Sequence, residues 1–248
     1  MRNPRVAEAV DTLRVQLRQG RGFRRLAGRH HRGLAVDGFP LDDHHLKETL
    51  DQLISQGHCY KHDQTSTVAS ARFDDQDWVI KRYNHQGLIH GLRRCFTTSR
   101  ARKSFVLGLL LDRLGIATPK PLAYIETRSG PLPGDGYIVC EKSPGETLHH
   151  LLMTGQLDRA LWPAVVAQTR ELVAALHHLG ITHGDVKHTN LLLGGDRLEI
   201  IDLDSLRIHR RLRRFERDRR KDASAVDNRV GGDPAAYIAR KKVELGLI

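Results

Sequence analysis

A change of period near residue 142 is the feature that most constrains this chain. From residue 58 to 142 the apolar residues mostly alternate as in extended chain, and beyond it they recur three and four apart as in helices. HCYK, TVASARF and WVIKRY predict three strands, and DDQD between the last two supplies hairpin-turn chemistry. Residues 97–114 predict a helix with Ser99 as cap, Phe105, Leu109 and Leu110 on its apolar face, and Gly115 at its end. TPKPLAYIETR and GYIVCEK predict a fourth and fifth strand, and SPGE breaks the last. Helices follow at 148–152 and 161–179, then the strand pair NLLL and RLEIID around a Gly-Gly-Asp turn. The class is α+β, with a small sheet-bearing lobe, a larger helical lobe, and an expected cleft between them as the place to seek chemistry.

With 248 residues, 40% of them apolar and 28% charged, the chain reads as one soluble two-lobed domain. The longest apolar run, 106–111, is far short of the roughly 18–20 residues of a membrane span, and charges interrupt the N-terminus where a secretory signal would be apolar. A cytoplasmic location is expected. The formal charge of +11 and a pI near 9.9 favour an anionic partner, with nucleic acid, acidic lipid and nucleotide phosphates all open. Residues 1–32 hold nine Arg against Glu8 and Asp11, and Val6, Val10, Leu13 and Leu17 recur at helical spacing, which predicts a basic amphipathic helix. A second polar helix is expected at 42–56. The resulting division is a basic helical extension at 1–57, a sheet lobe at 58–142 and a helical lobe with a basic tail at 143–248. Cys59, Cys95 and Cys140 are widely spaced and outside any CxxC, so neither a disulfide framework nor a zinc knuckle is expected.

The stretch ITHGDVKHTNLLL, at 181–193, sets Asp185, Lys187 and Asn190 on an irregular loop before an apolar strand. Nine residues after Leu193 the next strand ends in Asp202, with Asp204 two positions on. Phosphoryl transfer needs a carboxylate to orient the attacking hydroxyl, oxygen ligands for a divalent metal, and cations on the phosphates. Asp185 suits the base, Asn190 and Asp202 suit Mg2+ ligands, and Lys187 suits neutralisation of the transferred group. Asp204 reads either as a second metal ligand on the Asp202 face or as a helix cap. His183 reads as a buried scaffold for the loop, and the paired histidines elsewhere lack a metal-ligand context.

These residues resemble the protein-kinase superfamily. HGDVKHTN is similar to the H-[RG]-D-x-K-x-x-N catalytic loop, IIDLDS stands where that superfamily has DFG, and WVIK stands where it has V-A-I-K. The resemblance implies a bilobal protein-kinase-like fold with a small antiparallel-sheet N-lobe and a helical C-lobe. It also implies ATP and Mg2+ as cofactors, Lys81 on the α and β phosphates, and backbone groups from Glu141 to Ser143 at the adenine. Two departures stand out. The phosphate-covering loop HDQTST, at 62–67, has no glycine, so the hydroxyls of Thr65, Ser66 or Thr67 are the expected substitutes for backbone amides. No glutamate occurs between Leu88 and Ile125, so Lys81 lacks the usual helix partner; it either pairs with Asp202 or activity is weakened.

A closer resemblance lies in SRARKSFVLGLLLDRLGIATPKPLAYIE, IIDLDSLRIH and FERDRRKD, which look like the bacterial lipopolysaccharide core kinases, the InaA-like heptose and Kdo kinase group. It implies an ATP-dependent kinase acting on a heptose or Kdo hydroxyl of the lipopolysaccharide inner core, or on another sugar-phosphate glycolipid. Residues 207–221, with nine Lys/Arg against Glu216 and Asp218, read either as a solvated helix or as a peripheral contact with the anionic glycolipid or inner-membrane surface. The competing functions are a small atypical protein kinase, disfavoured by the missing activation segment, and a nucleic-acid-binding pseudokinase. Nucleic acid is not the expected partner, because only 5% of residues are aromatic.

Overall fold

The computed structural model describes residues 3–84, 99–129 and 132–247. Cys95 and the start of the helix expected at 97–114 lie outside the described residues. The chain divides into two compact units. One comprises Ala9–Asp112 and Pro119–Lys142, the other Met1–Glu8, Arg113–Thr118 and Ser143–Ile248.

The first unit is built on an antiparallel sheet of seven strands in the order β1-β2-β6-β7-β5-β4-β3. These are β1 (Phe23–Gly28), β2 (His31–Val36), β3 (His58–His62), β4 (Ser66–Phe73), β5 (Gln76–Tyr83), β6 (Pro121–Ser129) and β7 (Leu132–Glu141). The five expected strands are β3 to β7. Along β5, Trp78 and Ile80 are fully buried and join Leu46, Leu50 and Ile54 of helix α2 (Leu46–Gln56) in one core cluster. Trp78 stacks between Phe39 and Phe73, with centroids 5.3 and 5.0 Å away. Because side chains alternate along a strand, Lys81 and Tyr83 occupy the opposite face. There the Tyr83 hydroxyl lies 3.2 Å from Ser104 Oγ of helix α3 (Arg100–Arg113).

The all-helical reading of residues 1–57 is corrected. Helix α1 (Pro4–Gln19) ends where Gly20 and Gly22 adopt φ of +67° and +79°, a left-handed backbone that stops a helix. Residues 23–36 then form the β1–β2 hairpin, whose β2 pairs with β6. Phe23 and Leu26 are three apart, a spacing that also fits a helical face, and their arginine neighbours obscure the strand period.

The second unit holds helix α4 (Leu148–Thr154), whose first turn is capped by Thr147 accepting from the His150 amide at 3.0 Å. It is followed by α5 (Trp162–His178), with Pro163 in the first turn and Trp162, Val165, Val166, Thr169, Val173 and Leu176 buried along one stripe. Strands β10 (Leu191–Gly194) and β11 (Arg197–Ile200) form the expected hairpin, with β8 (Glu146–Thr147) on the other side of β10. Strands β9 (Ile181–Thr182) and β12 (Arg207–Ile208) pair on either side of the loop and hairpin. Helix α6 (Leu212–Ala225) runs into a π-turn at Val226–Val230, and helix α7 (Pro234–Glu244) starts at an Asp233 cap. None of the helices among the described residues is long and apolar enough to cross a membrane.

Candidate active site

The loop between β9 and β10 is held from beneath by two buried polar groups. His183 is fully buried; its Nδ1 accepts from the Asp185 amide at 3.3 Å, and its Nε2 donates to the Ile201 carbonyl at 3.0 Å. Burial lowers its pKa from the usual histidine value, so the ring is neutral and works as a scaffold, as expected for this position. Beneath it, Asp222 of α6, 1% exposed, accepts from the amides of His183 at 2.7 Å and Gly184 at 2.8 Å. Gly184 has φ +83°, and an added Cβ would lie 3.1 Å from the Ser205 carbonyl oxygen, so a side chain here is strained twice over.

Three of the predicted residues meet directly on this loop. Asp185 Oδ2 accepts from Lys187 Nζ at 2.6 Å and from Asn190 Nδ2 at 3.1 Å, and Asn190 Nδ2 also reaches the Asp185 carbonyl at 2.9 Å. A second cation, Arg229 of the π-turn, places Nη1 3.5 Å from Asp185 Oδ1. Partial burial raises the pKa of Asp185, but Lys187 and Asn190 outweigh it and hold the carboxyl below its ordinary value.

Asn190 and Asp202 are joined through the hairpin. Leu191 pairs with Ile200, and the Ile201 amide donates to the Asn190 carbonyl at 3.0 Å, one residue short of Asp202. Asp202 has φ +59°, an uncommon conformation for a residue with a side chain and one that recurs at functional sites. Asn190 Nδ2 is committed to Asp185, and its Oδ1 accepts from Thr189 Oγ1 at 3.4 Å, which leaves that oxygen one further lone pair for a cation. Among the described residues no three acidic, histidine or cysteine side chains cluster as a metal cage. Mg2+ keeps several waters and substrate phosphates and takes one or two carboxylates from protein, so an Asn190–Asp202 pair of hard oxygens suits it. The same-face strand argument for Asp204 is corrected: β11 ends at Ile200, and Asp204 lies inside a 3-10 turn, Leu203–Ser205.

The remaining predicted residues belong to the sheet unit, except Ser143. Lys81 pairs with Val68 and Ile138 across the sheet, and its Nζ lies 4.9 Å from the centre of the Tyr83 ring. Helix α3, packed on that face, carries one acid, the exposed Asp112 near its end. The β3–β4 turn is organised by Asp63, which sequence reading passed over. Its Oδ1 accepts from the Thr65 amide and hydroxyl, both at 2.7 Å, and from the Ser66 amide at 2.9 Å. Lys61, then the turn hydroxyl and amides, hold the Asp63 carboxyl well below its usual range. Ser66 and Thr67 are buried, and Thr67 Oγ1 sits 3.2 Å from His62 Nδ1. The Thr65 hydroxyl is thus engaged within the turn, and reaching a phosphate would mean leaving Asp63. At the end of β7 the amides of Glu141 and Lys142 donate to the carbonyls of Lys120 and Asp77. Ser143 Oγ accepts from the Gly145 amide at 3.1 Å.

Asp222 and Arg229 were not singled out in the sequence. The signal for Asp222 is an acid pair at i, i+4, Asp218 and Asp222, inside a strongly basic helix, where both carboxylates turn out to be buried.

Comparison with curated protein sequences found no match. Among solved structures, one titled "WaaP in complex with acyl carrier protein" is similar at a TM-score of 0.44 and 20% identity, over 80% of this chain and 91% of that one. The model of the "Lipopolysaccharide kinase (Kdo/WaaP) family" matches residues 55–233, more than two thirds of the chain. Those residues run from the end of α2 through the sheet strands β3 to β7, the Asp185 loop, the Asp202 turn and the Asp222 anchor, so the chain belongs to the Kdo/WaaP lipopolysaccharide kinase family.

Proposed function

We propose that this lipopolysaccharide kinase moves the γ-phosphoryl group of ATP onto a hydroxyl of a heptose or Kdo sugar of the inner core, with Asp185 as the acceptor-side base. The observation that carries this reading is the hold on Asp185: one oxygen fixed by Lys187 and Asn190, the other facing Arg229. In the step, the sugar oxygen attacks the γ-phosphorus, the bond from that phosphorus to the ADP oxygen breaks, and the hydroxyl proton passes to Asp185. A carboxylate held below its usual pKa is a weak base. It suits a loose transition state, in which the hydroxyl turns acidic only as the new P–O bond forms. Lys187, bonded to Asp185 Oδ2, supplies positive charge where the phosphoryl group passes.

Lys81 is assigned to the ATP phosphates, and the 141–143 backbone to the adenine. Asn190 and Asp202 would hold Mg2+, which supplies charge neutralisation on the β and γ oxygens when bound. The exposed arginines at 210, 211, 213 and 214 are assigned a peripheral contact with the anionic glycolipid or the inner face of the membrane.

The test is incubation with labelled ATP and, in parallel, deacylated core oligosaccharide, a generic protein and RNA. Label is expected in the core, and Asp185→Ala is expected to lower kcat by about 10²- to 10⁴-fold with little change in ATP affinity. Label in the protein alone, or full activity of Asp185→Ala, overturns the reading.

A further inference from the structure

A cavity of about 450 Å³ opens beside the loop, lined by residues of the second unit, among them Gly184, Val186, Arg220, Lys221, Asn228 and Arg229. It lies within the roughly 300–1,000 Å³ range of small-ligand sites. Asp222 also lines it, but that carboxylate is buried and accepts from the His183 and Gly184 amides, so the side chains facing the space are predominantly cationic and polar. The α6 residues Arg220 and Lys221 also line an open groove of about 560 Å³ with Leu212, Arg213, Glu216 and Arg217. The cavity and the groove therefore form one basic track along α6, with its inner end at the catalytic loop.

Resting on the kinase reading above, we infer that this cavity is the acceptor subsite and that Arg229 selects a sugar bearing a carboxylate or phosphate close to the hydroxyl that is phosphorylated. The guanidinium carries five N–H donors in a planar fork. Its approach to Asp185, at 3.5 Å, is longer than the 2.7–2.9 Å typical of a charged hydrogen bond. Its side chain is more than half exposed. One edge of the fork faces Asp185, and the other donors suit a second anion. A ligand anion on Arg229 would then sit one guanidinium away from the base, so a hydroxyl a few bonds from that anion falls at Asp185 Oδ1. Arg220 and Lys221, shared between cavity and groove, suit a further anionic group on the next residue of the saccharide. The substrate class this defines is an oligosaccharide with closely spaced negative charges.

The test measures direct binding of deacylated core oligosaccharide by calorimetry, alongside phosphate transfer to it. Three forms of the core are compared: native, with its carboxylates reduced to alcohols, and treated with phosphatase. Arg229→Gln is expected to weaken binding of native core about 10- to 100-fold, the loss of one charge-assisted contact, while the KM for ATP stays within about twofold. Removing the recognised anion from the core should cost wild type a similar factor and cost Arg229→Gln little more. Whichever treatment shows this pattern tells carboxylate from phosphate. Arg229→Lys should recover part of the affinity, and Arg220→Gln, at the shared wall, should show a smaller loss. Unchanged core binding in Arg229→Gln, or losses that simply add in the variant, overturn the subsite. Arg229-dependent binding without phosphate transfer by wild type would sink the kinase reading and leave the subsite standing. Transfer with Arg229-independent binding would do the reverse.

Discussion

A buried carboxylate that accepts two backbone amides has no good substitute. Asparagine at 222 would keep one acceptor oxygen and turn an NH2 toward the other amide. Asp222→Asn is therefore expected to cost about 2–3 kcal/mol in denaturant unfolding and to lower kcat more than it changes the KM for ATP, because the loop under Asp185 loses its tether. A variant as stable and active as wild type would show that the loop is held elsewhere. Lys81 is tested by Lys81→Met, which keeps the apolar stem and removes the charge. The expected result is a rise of about tenfold or more in the KM for ATP, with an unchanged circular dichroism spectrum. Unaltered kinetics would mean that the phosphates are gripped by other groups. At this scale the legible part was the part with consecutive chemistry: HGDVKHTN placed Asp185, Lys187 and Asn190 together, and they meet within 3.1 Å. Asp222 lies 37 positions beyond Asp185 in a run of arginines, and only the folded chain brings it under the loop.

Among the elements, α2 is clamped to the sheet by one side chain as well as by its apolar stripe. Asp51 takes Lys47 at 2.7 Å on its own helix, Arg82 of β5 at 2.9 Å and the buried Tyr137 hydroxyl of β7 at 2.8 Å. Burial pushes the Asp51 pKa up, but Lys47, Tyr137 and Arg82 together bring it below 3.8. A carboxylate with a depressed pKa in the folded state stabilises above its unfolded value, and that contribution is lost as pH falls through the folded value. Asp51→Asn is expected to cost about 1–2 kcal/mol near neutral pH, toward the low end because the side chain is partly exposed. Its stability should fall less steeply than that of wild type below about pH 4. Parallel acid limbs in urea unfolding would remove Asp51 from this role. Strands β3 to β7 were legible because their alternation is bounded by turn residues. The β1–β2 hairpin was not, because arginines fill its outward positions and the Gly20-Arg21-Gly22 stop was absorbed into a longer basic helix.

For the molecule as a whole, the excess of positive charge falls in two stretches, residues 1–32 and 207–221, each with nine basic residues against two acids. If the arginines after β12 meet phosphates of the glycolipid, converting Arg210, Arg211, Arg213 and Arg214 to Gln should raise the KM for intact lipopolysaccharide and spare the KM for ATP. Contacts between exposed charges are screened beyond about 8–10 Å at ordinary salt, so the wild-type KM should climb with ionic strength and that of the variant should climb less. Identical salt dependence would return this face to a solvated one. The alternation between solvated helix and anion contact could not be resolved from the run 207–221, because both predict the same outward arginines. A helix held by leucines needs an apolar stripe about 100° wide, which removes three or four positions in every two turns from the outer surface. Helix α6 instead buries only Asp218 and Asp222 of its 14 residues; Asp222 is met by the His183 and Gly184 amides, and Asp218 by the guanidinium of Arg207 on β12. Attachment of this kind fixes the helix in rotation and register, since a slip of one residue forfeits every bond at once. Apart from Phe215, which packs on His177 and His209, it also leaves most of the circumference available for charge, which is how so polar a segment can still present a rigid cationic rail.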